Sequence, residues 1–285
     1  MTEAFYDHLA KTRHQIHQHS EVSEEEHETT VFLKGYLKNL GIEPLNYPLK
    51  TGLIAEIGSG HPIIALRADI DALPIKEKTG LPYASDNGAM HACGHDSHMA
   101  IQLIVAKILA AHKDEFSGTV KFVFQPNEEE AGALNMIEAG VLENPHVDAA
   151  LALHLWSPIK TGHIGLSEGP ILGTTEEFEL EIIGKAGHTS TPHTAKDAIL
   201  GACSVVQALQ VLGTREFDPL LPIAVMFGHI EGGTARNIIT DSVKLGGTIR
   251  FLFPDEEMNK PKVLAAFERV IAGTCMAQGL EYKIK

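Results

Sequence analysis

His98–Gln125, HMAIQLIVAKILAAHKDEFSGTVKFVFQ, joins an apolar helical pattern to a short strand pattern through one polar break, and its reading decides the fold. Outward from it, LIAEIG (53–58), IIALRAD (63–69) and AALALHLW (149–156) are again short, apolar and strand-like, while EEAGALNMIEAGVL (129–142) returns to the helical period. Two further helical patterns open the chain, over about Glu3–His17 and Glu24–Leu40, the second stopped by Gly41 as its C-terminal cap. Strands alternating with helices predict an α/β sheet covered on both faces. In such sheets functional residues gather on the loops that leave the carboxyl ends of the strands.

After Gly173 the order changes to strand (EEFELEIIG), helix (AKDAILGACSVVQALQVLG), two strands (PIAVMFGHIEG, SVKLGGTIRFL), helix (KPKVLAAFERVIAGTCMAQ) and strand (LEYKIK). That β-α-β-β-α-β order is the order of a ferredoxin-like α+β unit. A domain boundary is therefore expected near residue 175, giving domains 1–175 and 176–285. Repeats, low-complexity tracts and long polar linkers are absent from the sequence.

Composition narrows the function classes. A chain of 285 residues with 44% hydrophobic and 21% charged content supports one large domain or two ordinary ones. The 23 Lys plus Arg against 37 Asp plus Glu give a net charge of -14, a field that repels phosphate backbones and anionic lipid, so neither nucleic acid nor membrane is expected as a partner. MTEAFYDHLAKTRHQ carries neither a basic leader nor an apolar run, and a cytoplasmic protein is expected. Cys93, Cys203 and Cys275 are far apart and odd in number, which suits a reducing compartment. The 16 histidines cluster at 8–27, 91–98 and 188–193, a reason to look for metal chemistry.

The densest cluster is His91-Ala92-Cys93-Gly94-His95-Asp96-Ser97-His98, just before an apolar helix. Cys93 and His95 alternate across the glycine, and thiolate and imidazole suit borderline-soft divalent metals; Asp96 could orient a ligating imidazole. The same residues also read as a polar helix start, or as a Cys93 nucleophile beside a histidine. Gln125-Pro126-Asn127-Glu128-Glu129-Glu130 follows a strand and is equally the acidic first turn of a solvated helix. A hydrolytic metal centre needs one carboxylate as ligand and a second as general base, which adjacent glutamates supply. His154 ends the apolar strand AALALHLW, where a partly buried histidine and a metal ligand are both ordinary readings. Asp69 and Asp71 in RADIDALP read as surface charges, or, near a metal, Asp71 as the carboxylate that holds a ligating histidine. Beyond residue 175, His188 in GHTSTPH, Asn237 and Arg250 are turn or strand-flank residues that could donate to an oxyanion or pair with a substrate carboxylate.

RADIDALP (67–74), MHACGHDSHMA (90–100), FQPNEEE (124–130), ALHLW (152–156), GKAGHTSTPH (184–193) and NIITDSVKLGGTIR (237–250) together resemble the zinc-type aminoacylase and carboxypeptidase family of metallopeptidases. Within it they are most similar to the amidohydrolase subgroup, which includes hippurate hydrolase, indole-acetyl-amino-acid hydrolase and N-acetyldiaminopimelate deacetylase. The resemblance implies a metal-dependent amidohydrolase that cleaves N-acyl amino acids, with a dipeptidase or carboxypeptidase as the alternative. It further implies two divalent metal ions (zinc, manganese, nickel or cobalt) held by Cys93, His95, Glu129 and His154, with Glu128 as general base and Asp71 as a supporting carboxylate. The second domain would be an inserted lid and dimerisation domain, making a homodimer, with His188 near the substrate carbonyl and Asn237 and Arg250 near the substrate. Two features depart from the family pattern. Glu130 stands where the family has glycine, so the glutamate pair could fall one residue later. The family's last catalytic segment, with its final ligand histidine, has no counterpart, since only His229 follows His193. The catalytic domain is thus expected to be incomplete at its C-terminus, with a non-catalytic binding form as the rival to an enzyme.

Overall fold

Side chains that alternate along the central strands divide between two cores, as a period of two requires. The computed structural model describes residues 3–218, 220–253 and 255–285. They form two compact units, Met1–Lys160 and Thr161–Lys285. The division falls before the residue 175 expected from the sequence; the first strand of the second unit begins at Thr174, and residues 161–173 carry no helix or strand.

Unit 1 contains α1 (Glu3–Gln18), α2 (His27–Asn39), β1 (Leu53–Ser59), β2 (Ile63–Asp69), α3 (His95–Ala111), β3 (Gly118–Gln125), α4 (Ala133–Glu138) and β4 (Ala149–Ala152). The sheet order is β1-β3-β2-β4, with β2 parallel to both neighbours and β1 antiparallel at one edge. Leu53, Ala55, Phe122 and Phe124 point to a core shared with Leu33, Leu37, Met99 and Leu103 of the helices. Ile54, Ala65 and Val123 point the other way, toward Met136 and Val141. Two expected helices are shorter than their patterns. α2 starts at His27 rather than Glu24, because the Glu21 carboxylate receives the Glu28 and Thr29 N–H groups at 3.0 and 2.8 Å and Glu26 turns inward. α4 starts at Ala133 rather than near Glu129, because Asn127 and Ala131 adopt positive φ (55° and 65°) and break the turn between them.

Unit 2 contains β5 (Thr174–Ile183), β6 (Gly187–His188), α5 (Ala198–Ala208), β7 (Ile223–Gly232), β8 (Ile238–Ile239), β9 (Ser242–Phe251), α6 (Glu256–Gln278) and β10 (Glu281–Ile284). Its main sheet has the order β10-β5-β9-β7 and is antiparallel throughout, the arrangement expected of β-α-β-β-α-β connectivity. Phe178, Leu180 and Ile182 of β5 alternate into a core closed by Ala202 and Val205 of α5 and Phe267 and Ile271 of α6. The helical run Ala198–Glu216 is long and apolar enough to cross a membrane by composition. Its Ala198, Ala202, Val205, Leu209 and Leu212 are nevertheless fully buried within unit 2, the role of a core helix.

Candidate metal centre

Parallel pairing sets Asp69 opposite Gln125 at the carboxyl ends of β2 and β3, and β4 runs alongside β2 on its other edge. Three strand exits therefore open together, toward Asp71, Glu128 and His154. Gly94 brings a fourth element in. Its φ of 98° turns the chain from Cys93 directly into α3, and a Cβ there would lie 3.2 Å from the Leu155 side chain.

His95 is the hub. Its Nδ1–H donates to the Asp71 carbonyl at 2.9 Å, which leaves the Nε2 lone pair facing Asp69 Oδ2 at 3.6 Å and Glu128 Oε2 and Glu129 Oε1 at 3.8 Å each. That nitrogen is buried without a hydrogen-bond partner among the described residues, a costly condition for a polar atom. Cys93 Sγ lies 3.3 Å from His154 Nε2, and His154 Nδ1–H donates to the Leu155 carbonyl at 2.6 Å. Donor atoms of Cys93, His95 and His154 lie within 4.8 Å of one another, as do those of His95, Glu128 and Glu129. Glu130, the third glutamate, is exposed and belongs to neither group. Sulfur, two imidazoles and two carboxylates around an unpartnered nitrogen fit borderline divalent cations.

Asp71 is fully buried and receives the Ser23 hydroxyl at 2.8 Å and the Glu129 N–H at 3.0 Å. Burial raises its pKa, but the His95 ring, with Nδ1 3.4 Å from Oδ1, and the hydrogen bonds from Glu129 and Ser23 outweigh burial and hold it at about 2, below the usual 3.8. A depressed carboxyl contributes stability that is present above the unfolded value and is lost as pH falls through the folded one. Asp71→Asn is accordingly expected to destabilise by about 2 kcal/mol at pH 7, a gap that closes between about pH 4 and pH 2. Urea unfolding of both proteins across that range measures it, and a gap constant with pH would refute the assignment.

The surrounding charges shape the other groups. Burial lowers the His95 pKa, but the Asp71 and Asp69 carboxylates outweigh it and the net shift is upward. Burial, reinforced by Asp69 and Glu129, raises Glu128 against the opposing pull of His95 and Arg67, toward the range useful for proton transfer. Burial and the Glu129 carboxylate push the Cys93 thiol up to about 12. Nucleophilic cysteines sit in electropositive surroundings, so this setting disfavours a Cys93 nucleophile, whereas a bound cation would stabilise the thiolate.

Sequence reasoning overlooked the supports of this site. Glu26, which falls inside the helix expected over Glu24–Leu40, is fully buried, with Oε1 accepting the Asn127 N–H at 2.8 Å and Oε2 the Thr51 hydroxyl at 2.7 Å. Gly132 closes the same loop, since a Cβ there would stand 2.6 Å from the Asn127 Cβ. Asp96 lies outside the hub, where its carboxylate meets Arg13 at 2.6 Å and His17 at 2.7 Å.

In unit 2, the two-residue ribbon of β6 and β8 places Asn237 Nδ2 3.4 Å from His188 Nε2, and His188 Nδ1 lies 2.7 Å from Ser190 Oγ. Arg250 is not with them. It lies eight residues along β9 from Ser242, about 26 Å at ~3.3 Å per residue.

Residues 65–235 match peptidase family M20/M25/M40. The chain is 43% identical over 280 residues to an N-acetyl-L-cysteine deacetylase of Bacillus subtilis, covering 96% of this chain and 67% of that protein. It is 38% identical to an N-acyl-L-amino acid amidohydrolase of Geobacillus stearothermophilus, covering 98% and 75% of the two chains. Among solved structures, a dinuclear metal-binding peptidase of B. subtilis superposes with a TM-score of 0.81 at 36% identity, over 100% of this chain and 74% of that one.

Proposed function

The chain belongs to peptidase family M20/M25/M40, and from that premise we propose that it is a metal-dependent amidohydrolase that cleaves the amide bond of N-acyl amino acids. The observation that carries this reading is the unpartnered His95 Nε2 at the junction of two potential donor sets, Cys93–His95–His154 and His95–Glu128–Glu129. Cys93, His95, Glu129 and His154 would hold two divalent ions, drawn from zinc, nickel, cobalt or manganese by the chemistry of sulfur, imidazole and carboxylate. When bound, such ions polarise the amide carbonyl and make a water acidic enough to lose a proton near neutral pH.

The chain's own groups do the rest. Asp71 holds His95 in the tautomer that leaves Nε2 available. Glu128 takes the proton of the attacking water as oxygen adds to the carbonyl carbon, then delivers it to the amide nitrogen as the C–N bond breaks. The products are a carboxylic acid and a free amino acid. In unit 2, His188 and Asn237 are assigned to the substrate carbonyl oxygen and Arg250 to a substrate carboxylate, which it can bind bidentately; because Arg250 stands at the far end of β9 from the other two, the pair and the arginine would serve different sites of a homodimer. Unit 2 would serve as lid and dimerisation domain of a homodimer. Three free cysteines and an acidic surface suit the cytoplasm.

A panel of N-acetyl amino acids, assayed for free amine, tests the reading. Hydrolysis that a chelator abolishes and a divalent ion restores is the expected result. No hydrolysis of any member of the panel by ion-loaded protein would sink it.

A further inference from the structure

We propose that His98 is a positioning residue that fixes the strand exit carrying His154. His98 lies one turn beyond His95 on the same face of α3, and its Nε2 accepts the Leu155 N–H at 2.9 Å. A nitrogen that accepts carries no proton, so the proton is on Nδ1 and is donated to Asp69 Oδ1 at 2.6 Å. Asp69 is braced in turn, with Oδ2 receiving Arg67 at 2.7 Å, and Arg67 Nε donates to Gln125 at 2.9 Å. The chain of bonds thus runs from β3 through β2 and α3 to the peptide that follows His154.

Asp69, His95 and His98 also bring donor atoms within 4.8 Å of one another, a cluster that resembles a cation site in composition. Both ring nitrogens of His98 are already engaged, so this histidine has no lone pair to offer. What it does instead follows from where β4 stops. The strand ends at Ala152 and pairs with β2 alone among the described residues, so no ladder bond holds the chain where His154 leaves it. The His98 acceptor takes over that task. Because the His154 ring bonds to the Leu155 carbonyl, the ring goes where the Leu155 residue goes, and through it the approach to Cys93 is set. This role in the chemistry rests on the reading that His154 holds a cation.

Two substitutions separate the two bonds. His98→Gln puts an amide oxygen near the Nε2 position and keeps an acceptor for Leu155. His98→Asn puts an amide N–H near the Nδ1 position and keeps the donor to Asp69 while losing that acceptor. Exchange of the Leu155 amide, followed by NMR before any metal is added, should be about tenfold faster in His98→Asn than in wild type or His98→Gln. Equal protection in all three, equal acceleration in both variants, or an unprotected Leu155 amide in wild type would overturn the proposal. Should His98→Asn fail to fold, His98→Gln alone decides, with retained protection supporting the proposal and lost protection overturning it. Titration with cobalt(II) gives the second readout. Affinity about ten- to hundredfold weaker in His98→Asn than in His98→Gln is expected, at unchanged stoichiometry. Loss of one bound ion in both variants would make His98 a ligand and overturn the proposal. A wild-type chain that binds no cobalt would defeat the metal-centre reading, and Leu155 exchange would still decide the role of His98.

Discussion

Glu128→Gln is expected to lower turnover of N-acyl amino acids by about two to four orders of magnitude, the usual worth of a positioned general base, with metal content and stability unchanged. The side chain is partly exposed and faces His95 across 3.8 Å, so the isosteric amide has room and leaves the fold intact. It cannot take a proton from water. Steady-state kinetics with parallel elemental analysis separates this from a ligand role, because Glu129→Gln should lose metal first and activity as a consequence. The two carboxylates would exchange roles if Glu128→Gln lost the metal and Glu129→Gln kept it.

The second large effect concerns Cys93. With its thiol pushed up to about 12 by burial and Glu129, the sulfur is protonated throughout the neutral range. A cation that binds it must displace that proton. Affinity should therefore rise with pH, about tenfold per unit for one displaced proton, between roughly pH 7 and pH 9. Cys93→Ala should bind more weakly and lose this part of the slope. Titration calorimetry in buffers of different ionisation enthalpy counts the protons directly. An unchanged proton count in Cys93→Ala would remove Cys93 from the ligand set.

Which parts of this protein could be read in advance follows the range of the forces involved. Strand and helix order was legible because alternation and the helical period are local. Leu53 to Ala55 and Phe122 to Phe124 declare the two faces of the sheet within a few residues. The cluster from His91 to His98 was legible as chemistry because thiol and imidazoles are dense there. Distant partners were hidden. Glu24, Glu25 and Glu26 look alike in sequence, and it is the Thr51 hydroxyl and the Asn127 N–H, the latter 101 residues away, that make Glu26 a buried support. The acidic run after β3 reads as a helix start, whereas left-handed Asn127 and Ala131 hold it as a turn that keeps Glu128 and Glu129 beside His95 and leaves Glu130 outside. The pairing of His188 with Asn237 depends on two-residue strands, too short to produce a periodic pattern.

Counting tightly bound divalent ions per chain, by elemental analysis of protein purified without chelators, tests the metal centre most directly. Two ions per chain, lost in Cys93→Ala, are expected from the donor sets around His95. A folded wild-type chain that retains none, or a Cys93→Ala chain that retains both, would contradict it.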